Sequence, residues 1–202
     1  MSASESARVA WTDDDYNGLF VLKALRRKSF SGRCVVNIGA AKVGVRSAER
    51  EVALRWFANA AHTYLFEQKV QTPLVLIPVP NTSATGRERC DTAEQAMQLA
   101  TSIGGDASVL DIVRWSEPVE SGDARYFYDR AVLRAAADAR RKTTLLVDEL
   151  CSDGAALLGI AAKLRIQGIN VDFALFAGFI PHGEPPVKVF QPHVMKLAEF
   201  VP

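Results

Sequence analysis

Four continuous apolar runs occur between residue 74 and residue 176, separated by polar loops and amphipathic segments. The runs predict buried strands near residues 74–79, 108–113, 143–147 and 170–176. The segments between and after them predict helices over residues 91–102, 126–140 and 155–167. Strands that alternate with helices are typical of an α/β domain with a mostly parallel, doubly wound sheet. Ligands of such sheets bind at the carboxyl ends of the strands, which favours the loops at 80–90 and 148–154.

The N-terminal part of the chain has a different pattern. Two β-prone runs around Gly39 predict a hairpin over residues 34–45, and apolar positions at helical spacing predict a helix over residues 47–68. The aromatic residues of that helix form either core or a homodimer face. We expect residues 1–15 to be flexible and residues 16–202 to form a single domain. Its core would span about residues 70–178, and the flanking segments would form a small hood.

Several residues are predicted to begin or end these helices. Ser47 is the expected N-cap of the first long helix, and Asp91 with Glu94 three positions later suggests a capping box. Gly104 and Gly168 are expected to end the two helices that precede them.

The composition excludes several classes of protein. The chain has 24 Lys and Arg residues against 23 Asp and Glu residues, which argues against a partner such as nucleic acid or an anionic membrane surface. No apolar run is long enough to span a membrane. The three cysteines contain no C-x-x-C pair, which indicates free thiols in a reducing compartment. We therefore expect a cytoplasmic protein with a small-molecule ligand.

The strongest chemical signal lies between residues 145 and 156. A buried strand leads into Asp148 and Glu149, and a short loop through Gly154 opens a helix. The backbone N–H groups at a helix N-terminus attract an anion such as phosphate. Two carboxylates beside them can hold sugar hydroxyls, either directly or through Mg²⁺. A phosphate next to a diol describes a ribose 5-phosphate.

This motif resembles the signature of the type I phosphoribosyltransferases. The resemblance implies that Asp148 and Glu149 are the catalytic acids, which contact the ribose of phosphoribosyl pyrophosphate and its Mg²⁺. It also implies a phosphate-binding loop formed by Cys151, Ser152, Asp153, Gly154, Ala155 and Ala156.

The resemblance extends upstream. The segment from Ile77 through Pro80 and the basic loop to Gln95 is similar to that of the competence-associated amidophosphoribosyltransferase-like branch. It implies a pyrophosphate-binding loop that contains Pro80, Asn81, Thr82, Arg87 and Arg89. Residues 111–130 would form a mobile flap whose cationic residues are Arg125 and Arg130.

Two functions follow from the resemblance. The first is an Mg²⁺-dependent enzyme that transfers the 5-phosphoribosyl group of phosphoribosyl pyrophosphate to a nitrogen nucleophile. The alternative is a catalytically weak or silent module that binds a nucleotide or a phosphoribosyl metabolite as a regulator or partner subunit. The residue that distinguishes them is Asp153, because the family usually has a hydroxyl residue there. If the Asp153 carboxylate fills the phosphate-binding loop, the alternative gains support.

Overall fold

The computed structural model describes residues 12–86, 90–134, 142–179 and 200–202. Among them the elements are, in chain order, α1 (Asp13–Leu25), β1 (Cys34–Ile38), β2 (Ala41–Val45), α2 (Arg50–Glu67), β3 (Leu74–Pro78), α3 (Asp91–Ile103), β4 (Ala107–Val109), β5 (Val113–Trp115), α4 (Ala124–Arg130), β6 (Ala131–Leu133), β7 (Thr143–Cys151), α5 (Ala155–Ile166) and β8 (Phe173–Phe179).

The central sheet contains four parallel strands in the order β4-β3-β7-β8. All four correspond to the apolar runs of the sequence, so the predicted parallel α/β sheet is confirmed. From β3 the chain crosses through α3 to β4 on one side, and from β7 it crosses through α5 to β8 on the other side. The connections therefore diverge between β3 and β7, which makes the carboxyl ends of these two strands the topological switch point.

Helices cover both faces of the sheet, as expected for a doubly wound fold. Leu74 and Leu76 of β3 pack into an apolar cluster with α1, α2, α3 and the β1–β2 hairpin. Val75 and Ile77 pack into a second cluster with α4, α5 and the β5–β6 pair. The alternation follows from the pleat, because successive side chains of a strand point to opposite faces. A strand buried on both faces is therefore a continuous apolar run.

Several strand and helix predictions were wrong in extent, among them the strand predicted over 143–147, which runs on to Cys151. The predicted second strand ends at Val109, and Val113 belongs instead to the antiparallel β5–β6 pair. The helix expected over 126–140 ends at Arg130, where the chain continues as β6; residues 135–140 lie outside the described part of the chain. Ala131 pairs with Trp115 and both are buried, so tertiary pairing overrides the helical preference of alanine.

The last strand also differs from its prediction. β8 begins at Phe173 and runs to Phe179, three residues later than expected. The side chain of Asp172 accepts a hydrogen bond from the backbone N–H of Thr144, and its own N–H donates to the carbonyl of Thr144. These bonds set where β8 joins β7. The predicted irregular tail falls on residues 180–199, which lie outside the described residues.

The helix boundaries show what sequence signals miss. The hairpin is confirmed, and Gly104 and Gly168 take positive φ at the ends of α3 and α5 as predicted. Ser47 does not cap α2, which begins after Glu49. The Asp91 capping box is also wrong, because α3 begins after Cys90 without a side-chain cap.

The residues around Asp15, expected to be flexible, form the first turn of α1 under a Thr12 capping box. No helix of the described residues is long and apolar enough to cross a membrane.

Helices α4 and α5 approach each other at Gly159. A Cβ atom at this position would lie 2.6 Å from the Ala124 carbonyl oxygen and 2.7 Å from the Tyr128 nitrogen. Both atoms belong to the backbone of α4, so they cannot move aside without displacing the helix. Residue 159 must therefore be glycine for the two helices to pack as they do.

We predict that Gly159→Ala lowers the free energy of unfolding by about 1–3 kcal/mol, because overpacking exceeds the gain in helix propensity. Chemical denaturation measures the change. The control is Gly105→Ala, whose added Cβ has no atom within 4 Å. An equal effect of the two substitutions would contradict the steric explanation.

Candidate functional site

The carboxyl end of β7 opens into a cleft on the α5 side of the sheet. The cleft has a volume of about 380 Å³, including space open to solvent. Its walls come from Asp148 and Leu150 of β7, from residues 151–157, and from Ser121, Gly122 and Phe127. The phosphate-binding loop predicted from the sequence therefore lines one opening together with one of the two predicted acids and part of the predicted flap.

The loop between β7 and α5 lines the cleft and leads into the N-terminus of α5. Gly154 has a φ of 79°, a left-handed conformation that glycine adopts without strain, and α5 begins at the next residue. The Asp153 carboxylate accepts a hydrogen bond of 3.0 Å from the Ala155 N–H. The Ser152 hydroxyl lies 3.4 Å from the same carboxylate oxygen. A carboxylate thus occupies the helix N-terminus, where the partial positive charge favours an anion.

Asp148 is the acid that faces the cleft. One of its carboxylate oxygens accepts a hydrogen bond of 2.7 Å from the N–H of Glu149. Burial raises the pKa of Asp148 to about 6, while the N–H groups of Glu149 and Leu150 and the charge of Arg26 act in the opposite direction. Above pH 6 the side chain is a charged acceptor inside a cleft, which suits it to hold a hydroxyl group.

Glu149 faces the opposite side of the sheet. It lies 3.8 Å from Arg26 Nε and 4.0 Å from an Arg50 Nη atom, distances too long for hydrogen bonds. Its Oε1 atom is buried and has no hydrogen-bond partner among the described residues. Burial and the nearby charge of Asp91 raise the pKa of Glu149 to about 7, against the opposing effects of Arg26 and Arg50.

The two acids therefore do not form one site as the resemblance implied. β7 continues through Cys151, so Asp148 and Glu149 are successive strand residues and point to opposite faces. No cluster of three or more metal-ligating side chains is present within the described ranges. As they are arranged, Asp148 and Glu149 do not fit a shared Mg²⁺ site.

Glu149 belongs to a charged network that the sequence did not predict. Arg50 is buried at the start of α2 and donates to the Leu25 carbonyl at 2.7 Å, to the Asp91 carbonyl at 3.1 Å and to the Glu94 carboxylate. Arg27 also pairs with Asp91 and Glu94. Asp91 and Glu94, expected to cap α3, thus join α3 to α1 and α2. A basic residue within an otherwise apolar helix face, such as Arg50, is the one sequence signal of this network.

The loop after β3 is fastened to the β5–β6 side of the molecule. The carbonyls of Pro80 and Asn81 accept hydrogen bonds from the Trp115 indole at 3.2 and 3.1 Å. The Thr82 carbonyl accepts a bond of 2.8 Å from the N–H of Val119. None of these three loop residues lines the cleft. Arg87 and Arg89, the cations predicted for this loop, lie outside the described residues.

The two arginines predicted for the flap do not line the cleft either. Arg125 is exposed on α4, where its Nε lies 3.1 Å from the Asp129 carboxylate and its guanidinium stacks over Tyr128. Arg130 pairs with Glu117 and lies over the Tyr126 ring. The flap instead contributes Ser121, Gly122 and Phe127, which sequence reasoning did not single out.

Cys151 lines the cleft as a protonated thiol. Burial, with smaller effects from Asp148 and Asp153, raises the pKa of Cys151 to about 11. Since the reactive form of cysteine is the thiolate, this residue is suited to packing and not to nucleophilic chemistry.

Fold and cleft together define a doubly wound α/β protein with a cleft at the carboxyl end of β7. No protein-family model and no curated protein matches the sequence. Two similar solved structures are crystal structures of a hypoxanthine phosphoribosyltransferase from Staphylococcus aureus in different space groups. The orthorhombic one has a TM-score of 0.40 and 13% identity, over 66% of this chain and 68% of that one. The tetragonal one has a TM-score of 0.39 and 13% identity, over 62% of this chain and 59% of that one. At this degree of similarity they carry no argument about substrate or activity.

The raised pKa of Glu149 gives a testable dependence of stability on pH. Because its pKa rises from 4.5 to about 7 on folding, the folded protein binds more protons than the unfolded chain between these values. The Glu149 contribution to the free energy of unfolding therefore falls as pH rises through that window. The groups around it are Arg26, Arg50, Asp91 and Asp148.

We predict that Glu149→Gln raises the free energy of unfolding by about 1–3 kcal/mol at about pH 8 and has little effect near pH 4.5. Urea denaturation at the two pH values measures the difference. Glu67→Gln, a substitution on the exposed end of α2, is the control. A gain of equal size at both pH values would show that the buried charge is not its cause.

Proposed function

We propose that the cleft binds the 5-phosphoribosyl part of a ligand such as phosphoribosyl pyrophosphate or a nucleotide. The observation that supports this function is the shared opening, which is lined both by Asp148 and by the residues at the start of α5. A phosphate group suits the helix N-terminus, and a ribose hydroxyl suits the carboxylate.

The phosphate would take the place of the Asp153 carboxylate. This carboxylate accepts a hydrogen bond from the Ala155 N–H. In the complex, a phosphate oxygen would accept that hydrogen bond instead. Ser152 lies beside the same position and would donate its hydroxyl to the phosphate. Asp153 is exposed, so it can rotate towards solvent when the ligand binds.

Asp148 would accept a hydrogen bond from a ribose hydroxyl. With a pKa of about 6 it is mostly charged at neutral pH, and hydrogen bonds to a charged acceptor are the stronger kind. Glu149, on the other face of β7, would not contact the same sugar. Its role in this proposal is confined to the network with Arg26 and Arg50.

A second candidate function is transfer of the 5-phosphoribosyl group to a nitrogen nucleophile. The observation that favours it is the position of Ser121, Gly122 and Phe127, which line the cleft together with the loop. In this role they would exclude water from the reacting carbon and so favour the nitrogen nucleophile over hydrolysis. Without turnover, the same cleft would serve a regulator or a partner subunit that senses a phosphoribosyl metabolite.

Isothermal titration with phosphoribosyl pyrophosphate tests the binding function, with and without added Mg²⁺ because the split acids do not themselves provide a metal site. Ribose 5-phosphate and inorganic phosphate are the comparison ligands. Saturable binding that is tighter for ribose 5-phosphate than for phosphate supports the proposal. Pyrophosphate release in the presence of ammonia or a nucleobase tests the transfer function. Absence of binding by all three ligands would overturn the proposal.

We predict that Asp148→Asn weakens binding of ribose 5-phosphate by about ten- to a hundredfold, because a hydrogen bond to a charged acceptor is lost. Glu149→Gln is the matched control, since the neighbouring acid faces away from the cleft. Titration calorimetry of both variants gives the comparison. Equal losses would show that the two acids act on the ligand together.

We predict that Asp153→Thr strengthens binding of phosphoribosyl pyrophosphate by about tenfold or more, because it removes a like charge and supplies a hydroxyl donor. Paired titrations of the variant and the original protein at one Mg²⁺ concentration provide the measurement. Loss of the Ala155 bond should lower the free energy of unfolding by only about 0.5–1 kcal/mol. Equal or weaker binding by the variant would show that Asp153 does not compete with the phosphate.

A further inference from the structure

The hydrogen-bond ladder between β3 and β7 is interrupted after the bond from Val79 to Val147, next to the cleft residue Asp148. Residue Pro78 pairs with Val147, and the N–H of Val79 donates to the Val147 carbonyl at 2.8 Å. In a parallel ladder, the residue that donates this bond accepts the next one through its own carbonyl. The next bond would therefore run from the Glu149 N–H to the Val79 carbonyl.

Both groups of that missing bond are taken by side chains. The Val79 carbonyl accepts a hydrogen bond of 2.5 Å from the Thr92 hydroxyl. The Glu149 N–H donates at 2.7 Å to the carboxylate of Asp148. Neither backbone group is left unsatisfied, although the two strands no longer bond to each other. The strand tips separate here, and the loop after β3 diverges from β7.

Thr92, which makes this bond, is buried in the first turn of α3 and is only 1% exposed. The Cys90 sulfur lies 3.0 Å from its oxygen. Because the single hydroxyl proton of Thr92 goes to Val79, Thr92 can only accept from the Cys90 thiol, whose sulfur also lies 3.9 Å from the Asp111 carboxylate. Burial raises the pKa of Cys90, which keeps the thiol protonated for this role.

Gln95 makes a second bond from the same helix, one turn later. Its residue is also 1% exposed, and its Nε2 donates to the Asp148 carbonyl at 3.2 Å. α3 therefore holds the tips of both central strands through two buried side chains at i and i+3 spacing, which lie on one face of a helix.

We propose that Thr92 is a positioning residue for the cleft. Thr92 separates the tips of β3 and β7 and so keeps the Asp148 carboxylate bound to the Glu149 N–H. Gln95 holds the peptide group between Asp148 and Glu149. The role in ligand binding rests on the proposed function. Without the Thr92 hydroxyl, the Val79 carbonyl loses its donor, and the Glu149 N–H is the donor that the parallel ladder would supply in its place. Closing that bond would release the Asp148 side chain from the orientation in which it lines the cleft.

The experiment compares three substitutions in the full chain. Thr92→Val keeps the shape of the side chain and removes the donor, whereas Thr92→Ser keeps the donor. Thr101→Val is the matched control, because Thr101 donates to the Met97 carbonyl within α3 and is exposed. Binding is measured by titration with ribose 5-phosphate. The backbone hydrogen bond is followed through the amide signal of Glu149 in ¹H–¹⁵N spectra of the free proteins.

We expect Thr92→Val to weaken binding by about tenfold, while Thr92→Ser and Thr101→Val stay within about threefold of the original protein. We also expect the Glu149 amide signal to move in Thr92→Val only, because its acceptor changes from a carboxylate to a carbonyl. Rescue by Thr92→Ser separates positioning from a general loosening of the core. Binding by Thr92→Val equal to that of the original protein, or failure of Thr92→Ser to restore it, would overturn the inference.

Two further results keep the inference separate from the proposed function. If the original protein does not bind ribose 5-phosphate, the proposed function fails, and the Glu149 amide signal alone decides whether Thr92 keeps the strands apart. If Thr92→Val does not fold, Gln95→Met removes the second bond to the same peptide. A Glu149 amide signal that stays unchanged in Gln95→Met would then overturn the inference, and a shifted signal with weaker binding would support it.

Discussion

β7 stays paired with β8 through Cys151, four residues beyond Val147, the last residue of β7 that pairs with β3. The arrangement of the candidate site depends on this continued pairing. A paired strand keeps its pleat, and the pleat sends successive side chains to opposite faces. Asp148 and Glu149 are therefore separated by the sheet itself. If the strand ended at Val147, the two acids would belong to a loop and could turn towards one ligand.

The separation places the two carboxyl groups in different electrostatic environments. Asp148 faces a cleft and is held by backbone N–H groups, whereas Glu149 lies between Arg26 and Arg50 without a hydrogen bond to either. Burial raises both pKa values, to about 6 and about 7. The charged network on the Glu149 side joins α1, α2 and α3 to the tip of the central strand β7. The N-terminal segment is thus tied directly to the strand that carries the site.

Helix α3 links the two halves of this arrangement. Its outer carboxylates, Asp91 and Glu94, pair with Arg27 and Arg50, and its buried Thr92 and Gln95 bond to the tips of β3 and β7. Four residues within one and a half turns therefore contact Arg27, the start of α2 and the tips of β3 and β7. The polar character of this segment serves tertiary contacts and not the capping of its own helix.

The sequence by itself determined the parallel sheet and the loop that leads from β7 into α5, because buried apolar runs and a glycine before a helix are local signals. It also indicated an acid at the tip of β7. Only the tertiary structure decided that Asp148 and Glu149 separate, that Arg125 lies on an exposed helix, and that residues 131–133 form a strand. Each of these depends on a partner distant in sequence: β8 for the acids, α5 for the helix that carries Arg125, and β5 for residues 131–133. A local pattern records which residues prefer burial, but the direction of a polar side chain is set by the element against which its backbone pairs.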